Sequence, residues 1–92
     1  MRTAVALRIA GRVQGVGYRD WMAGEAQVQG IDGWVRNRSD GSVEAVVAGT
    51  EDAVAAIIEA CRRGPLLARV AAVDATPAED PGRGFRRLPT LR

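Results

Sequence analysis

The chemistry open to this chain is narrow, because it contains no histidine. A histidine general base, a Ser–His–Asp triad and histidine-ligated metals are therefore excluded. Its single cysteine, Cys61, is followed six positions later by Leu67, so the Cys-x5-Arg cradle of thiol phosphatases is absent. Cys61 lies on the apolar side of a predicted helix and reads as a small core side chain. The acids Asp20, Asp32, Asp40, Asp74 and Asp80 show no metal-binding spacing, and Asp40 suits the turn it opens with Gly41. No metal is expected. What remains is a glycine-punctuated stretch from Gly11 to Arg19, the arginine that closes it, and the amide of Asn37.

Such groups can bind a phosphoryl group and hold a water, but they cannot readily protonate a poor leaving group such as an alkoxide. An acyl phosphate removes that need, since its leaving group is a carboxylate whose conjugate acid has a pKa of about 4. Positioning and charge stabilisation are then sufficient for phosphoryl transfer. The poverty of the residue set argues for an activated substrate.

The elements that must position these residues are legible from periodicity. Val5, Leu7 and Ile9 alternate along a strand predicted over Thr3–Ala10. Tyr18, Met22 and Ala26 recur every four residues along a helix from Gly17 or Tyr18 to Gln29, with Gly30 as its C′ residue and Gly24 as an internal weakness. Ile31–Asn37 and Ser42–Ala48 read as two strands joined through Asp40-Gly41, with Val43, Ala45 and Val47 on one face. Thr50 caps a second helix whose Val54, Ile57, Ile58 and Cys61 form one apolar stripe, and Gly64-Pro65 ends it. Ala68–Thr76 reads as a fourth strand, although Val70 and Val73 sit three apart and call for a bulge or a weak strand. Phe85–Leu88 supplies a short last strand, placed at an edge by its Arg86-Arg87 pair. The order strand, helix, strand, strand, helix, strand matches a split βαβ α+β sandwich.

A strand that turns through glycines into a helix leaves backbone N–H groups unpaired at the positive end of the helix dipole, where an anion can bind. Gly15 and Gly17 let the backbone bend and approach such an anion closely. By physics alone, the same turn serves equally as a plain connection. Arg19, taken alone, reads as a solvated helix residue or a partner of Asp20 or Glu25. Asn37, taken alone, reads as the opening of a turn. Trp34 reads as core or strand-face packing.

As a string, Gly11-Arg12-Val13-Gln14-Gly15-Val16-Gly17-Tyr18-Arg19 closely resembles the G-R-V-Q-G-V-x-F/Y-R signature of the acylphosphatase family. Gly33-Trp34-Val35-Arg36-Asn37-Arg38-Ser39-Asp40-Gly41-Ser42-Val43 resembles that family's second motif, G-W-V-x-N-x-x-D-G-x-V. The resemblance covers nearly the whole chain. It implies a ferredoxin-like fold, βαββαβ with a short extra C-terminal strand, two helices lying on one face of an antiparallel sheet. It also implies hydrolysis, without a cofactor, of carboxyl phosphates such as acetyl phosphate or a phosphoglycerate anhydride. Arg19 would then bind the phosphate together with backbone N–H groups of Gln14, Gly15, Val16, Gly17 and Tyr18, Asn37 would orient the attacking water, and the phosphate itself would accept that water's proton. Tyr18 stands where phenylalanine is frequent, and Gln29 where an apolar residue is usual.

Ninety-two residues predict one domain over 1–92, with a small aliphatic core, since the aromatics are only Tyr18, Trp21, Trp34 and Phe85. Every basic residue is arginine, but the net charge is only +2 and the arginines are scattered. Nucleic acid is therefore not expected as a partner. An RNA- or single-strand-binding module is the rival reading, and strands one and three lack the aromatics such sheets present. A second rival keeps the fold but acts as an anion sensor. With one cysteine and no long apolar run, the expectation is a cytoplasmic monomer that does not associate with membranes.

Overall fold

A computed structural model describes residues 1–91. The elements are β1 (Arg2–Arg12), α1 (Tyr18–Gln29), β2 (Asp32–Asn37), β3 (Val43–Thr50), α2 (Glu51–Arg63), β4 (Arg69–Pro77) and β5 (Phe85–Arg87). They form a ferredoxin-like α+β sandwich with sheet order β4-β1-β3-β2-β5. The strands alternate as the period-two pattern demands: Leu7, Ile9, Val35, Val43, Ala45 and Val47 face the helices and are buried. Met22 and Ala26 of α1 and Val54, Ile57 and Cys61 of α2 close the same core from above. Among the described residues, no helix is long and apolar enough to cross a membrane.

The first four strands pair antiparallel, as expected, but β5 runs parallel to β2, so the sheet as a whole is mixed. The chain leaves β4 at one edge and returns along the other, which brings β5 in beside β2 in the same direction. Arg2 anchors this return: its guanidinium contacts Asp32 and Asp80, each at 2.7 Å, and the Gly82 carbonyl at 3.1 Å. Asp32 in turn accepts the Gly84 N–H at 2.9 Å, directly before β5.

The three-residue spacing of Val70 and Val73 has its cause in a bulge. Ala10 pairs with Ala72 but Gly11 pairs with Val70, leaving Ala71 as an extra residue on β4. Both valines consequently pack against the core. Gly30 ends α1 in the left-handed conformation, and Thr50 caps α2 by accepting the Ala53 N–H at 3.1 Å. Gln29, an unusual residue before the closing glycine, is half-buried and directs its amide to Glu25 one turn back. Trp34 packs on the open face of the sheet, with the Arg36 guanidinium 4.7 Å from its ring centroid.

Candidate active site

The loop after β1 is built on an apolar anchor, a polar tether and two glycines. Val13 is fully buried and fixes the start of the loop in the core. The Gln14 side chain then donates from Nε2 to two carbonyls of the β2–β3 hairpin, Arg38 at 2.8 Å and Ser42 at 2.9 Å. Gly15 and Gly17 have φ of 73° and 77°, in the left-handed region where a side chain would be strained. Gly17 is the N-cap of α1, and among the described residues no side chain caps that helix start. Its first N–H groups therefore face outward with the positive end of the helix dipole, an arrangement suited to an anion.

Arg19 lies in the first turn of α1 and donates from Nη1 to the Leu88 carbonyl at 3.0 Å. The helix partners considered for it are otherwise engaged, because Asp20 pairs with Arg87 and Glu25 accepts from Gln29. Asn37 is the last residue of β2, opposite Val43. Its carbonyl accepts the Leu91 N–H at 2.9 Å, and the Leu91 carbonyl accepts the Ser39 N–H at 3.0 Å. The segment after β5 thus touches both residues, Arg19 through Leu88 and Asn37 through Leu91. Asp40 shapes the turn that follows, accepting the Ser42 hydroxyl at 2.6 Å and its N–H at 2.9 Å. Those hydrogen bonds hold the Asp40 carboxyl below the usual carboxylate range.

Arg19 and Asn37 line one cavity of about 140 Å³ together with Gln14, Gly15, Gly17 and Tyr18. At about 30 Å³ per water molecule, this is room for a phosphoryl group and a water. Val16 is the exception among the loop residues, since it packs against the core. Tyr18 contributes to the wall from a buried position: its hydroxyl donates to the Cys61 carbonyl at 2.6 Å, and its ring meets Trp21 edge-on at 5.2 Å. Burial pushes the Tyr18 hydroxyl well above its ordinary pKa and the Cys61 thiol up to about 11, so neither is ionised near neutrality.

Two charged residues of the cavity wall were not anticipated, Asp20 and Arg87. They form an ion pair across the gap between α1 and β5. Arg87 carries no local signal, because it reaches the site only through the parallel pairing of β5 with β2, where it sits opposite Val35. Among the described residues, no three His, Cys, Asp or Glu side chains gather in a way that could hold a metal ion. The site therefore offers backbone N–H groups, one arginine with no acidic partner among the described residues, one paired arginine and a carboxamide, a set suited to holding a tetrahedral anion and a water.

A family model described as Acylphosphatase matches residues 5–87. The chain is 54% identical over 90 residues to an acylphosphatase of Rhodopseudomonas palustris, covering 90% of this chain and 91% of that one. It is 52% identical over 93 residues to an acylphosphatase of Azorhizobium caulinodans, covering 99% and 100%. The fold superposes on the structure of an acylphosphatase from Coxiella burnetii with a TM-score of 0.89 at 32% identity, covering 95% of this chain and 93% of that one.

Proposed function

This chain belongs to the acylphosphatase family and hydrolyses acyl phosphates, and we propose that it does so with Arg19 and the 14–18 loop holding the phosphoryl group and Asn37 orienting the attacking water. The observation that carries this assignment is that Arg19 and Asn37, eighteen positions apart in sequence, line the same cavity as the uncapped, glycine-shaped start of α1. Backbone N–H groups of Gln14 to Tyr18 and the Arg19 guanidinium take the phosphoryl oxygens, and the helix dipole adds to the positive field. The Asn37 carboxamide holds a water in line with the bond to the acyl oxygen. As that water attacks phosphorus, its proton passes to a phosphoryl oxygen, and the carboxylate departs without a general acid because its conjugate acid has a pKa of only about 4.

The single chain supplies every group in this scheme, which supports a monomeric enzyme acting without a cofactor. Inhibition by inorganic phosphate tests the phosphate assignment. Phosphate is expected to compete with benzoyl phosphate, and Arg19→Met is expected to raise its inhibition constant on the order of 10-fold or more, the value of a charge-assisted hydrogen bond. Inhibition unaltered in a folded Arg19→Met variant would contradict it.

A further inference from the structure

We propose that the groove between α1 and β5 is the subsite for the acyl part of the substrate, and that it selects extended, uncharged acyl groups over acetyl and over dicarboxylic ones. This rests on the assignment of the phosphate cavity above, and it adds the substrate class that assignment leaves open. The groove measures about 570 Å³, within the size range of small-ligand sites, and shares Asp20 with the phosphate cavity. α1 and β5 contribute to both. Asp20, Gly24 and Gln27 follow one another along a single face of α1, leading away from the phosphate end. On β5, Arg87 lines the phosphate cavity and Phe85, two residues earlier on the same strand face, lines the groove.

The middle of the groove is small and apolar, formed by Ala23, Gly24, Ala26, Ile31 and Phe85. Gly24 is informative here. A glycine inside a helix weakens it relative to alanine, and a Cβ built at Gly24 would meet no atom within 4 Å, so packing does not require the glycine. Its effect is to leave the groove open where a side chain would project. Charge points the same way. The groove's ionised groups are the carboxylates of Asp20 at the phosphate end and Asp32 at the far end, each already paired with an arginine. Among the described residues, no basic side chain lines the groove to receive an anionic acyl group, whereas an apolar one would bury surface. The Asp20–Arg87 pair at the junction is largely exposed on both sides, and such pairs are weak enough to part for a passing chain.

The test is kcat/KM for acetyl, butanoyl, hexanoyl, benzoyl and succinyl phosphate, measured with the wild type, Gly24→Ala and Gly24→Leu, with folding checked by circular dichroism. Both substitutions favour the helix, so both variants are expected to fold. Each methylene buried is worth about fourfold. The wild type is expected to gain at least 10-fold from acetyl to hexanoyl phosphate and to prefer benzoyl to succinyl phosphate. Gly24→Leu is expected to lose most of that gain, the loss falling on hexanoyl more than on acetyl phosphate, with Gly24→Ala between. A flat wild-type series with good turnover overturns the subsite and leaves the phosphate assignment standing. A loss in Gly24→Leu that falls equally on acetyl and hexanoyl phosphate also overturns it. A folded wild type that turns over none of these substrates overturns both.

Discussion

The guanidinium of Arg19 is held 3.0 Å from the carbonyl of Leu88, joining the first turn of α1 to the segment that follows β5. Three residues further on, Leu91 donates to the carbonyl of Asn37. The two groups assigned to phosphate and water are therefore braced by one short stretch of backbone that itself carries no chemistry. Removal of residues 88–92 is expected to leave the circular dichroism spectrum intact while lowering kcat on the order of 10-fold to 100-fold, the range that a misplacement of about 1 Å produces. Unchanged kcat in the truncated protein would show that the bracing is incidental.

Gln14 makes a second brace, tying the loop to the hairpin that carries Asn37 through the carbonyls of Arg38 and Ser42. Its amide nitrogen alone can serve two acceptors. Gln14→Leu keeps the bulk and removes both hydrogen bonds, and is expected to lower kcat roughly 10-fold with a smaller change in KM, since the loop's backbone donors remain. Gln14→Glu should be worse, because a carboxylate would face two carbonyl oxygens. Equal losses in both kinetic constants would point to a general disturbance of the loop instead.

Tyr18→Phe separates packing from chemistry. The ring stays in the core, but the buried Cys61 carbonyl loses a 2.6 Å partner. A loss of about 1–3 kcal/mol in unfolding free energy is expected by urea titration, with kcat nearly unchanged, because the role proposed for Tyr18 in phosphate binding uses only its backbone N–H.

The clamp on β5 depends on pH. Hydrogen bonds from Arg2 bring the Asp80 carboxyl down to about 2, and Arg2 also lowers Asp32. Carboxylates depressed in the folded state add stability that is complete above their unfolded pKa of about 4 and lost as pH falls through the folded value. Melting temperature is expected to fall between about pH 4 and pH 2. Asp80→Asn should flatten that fall, and a variant with the wild-type acid profile would remove the clamp from the account.

Much of the site was legible because its signals are local. Gly15, Gly17 and Arg19 lie within five residues, and the strand-to-helix turn that exposes backbone donors follows from the periodicities on either side. Asn37 by its place alone reads only as the opening of a turn, and it entered the candidate site through the resemblance of residues 33–43 to the family's second motif. The spacing of Val70 and Val73 left a bulge or a weak strand open, and the register shows the bulge. Other features depend on long-range pairing and left no local trace. The direction of β5, the arrival of Arg87 beside Asp20 and the grip of Leu88 on Arg19 all follow from how the chain crosses from one sheet edge to the other. Gln14 was read for its backbone, while its side chain proves to be the link between loop and hairpin, since an amide gives no hint in sequence of which carbonyls it will find.

Hydrolysis of benzoyl phosphate in EDTA by the wild type, Arg19→Ala and Asn37→Ala is the most direct test of the central assignment. With each protein shown to be folded by circular dichroism, the expected result is full turnover by the wild type and losses on the order of 10²-fold or more in both variants, because each removes a charge-stabilising or positioning group. A folded Arg19→Ala or Asn37→Ala enzyme that retains wild-type turnover would contradict the account.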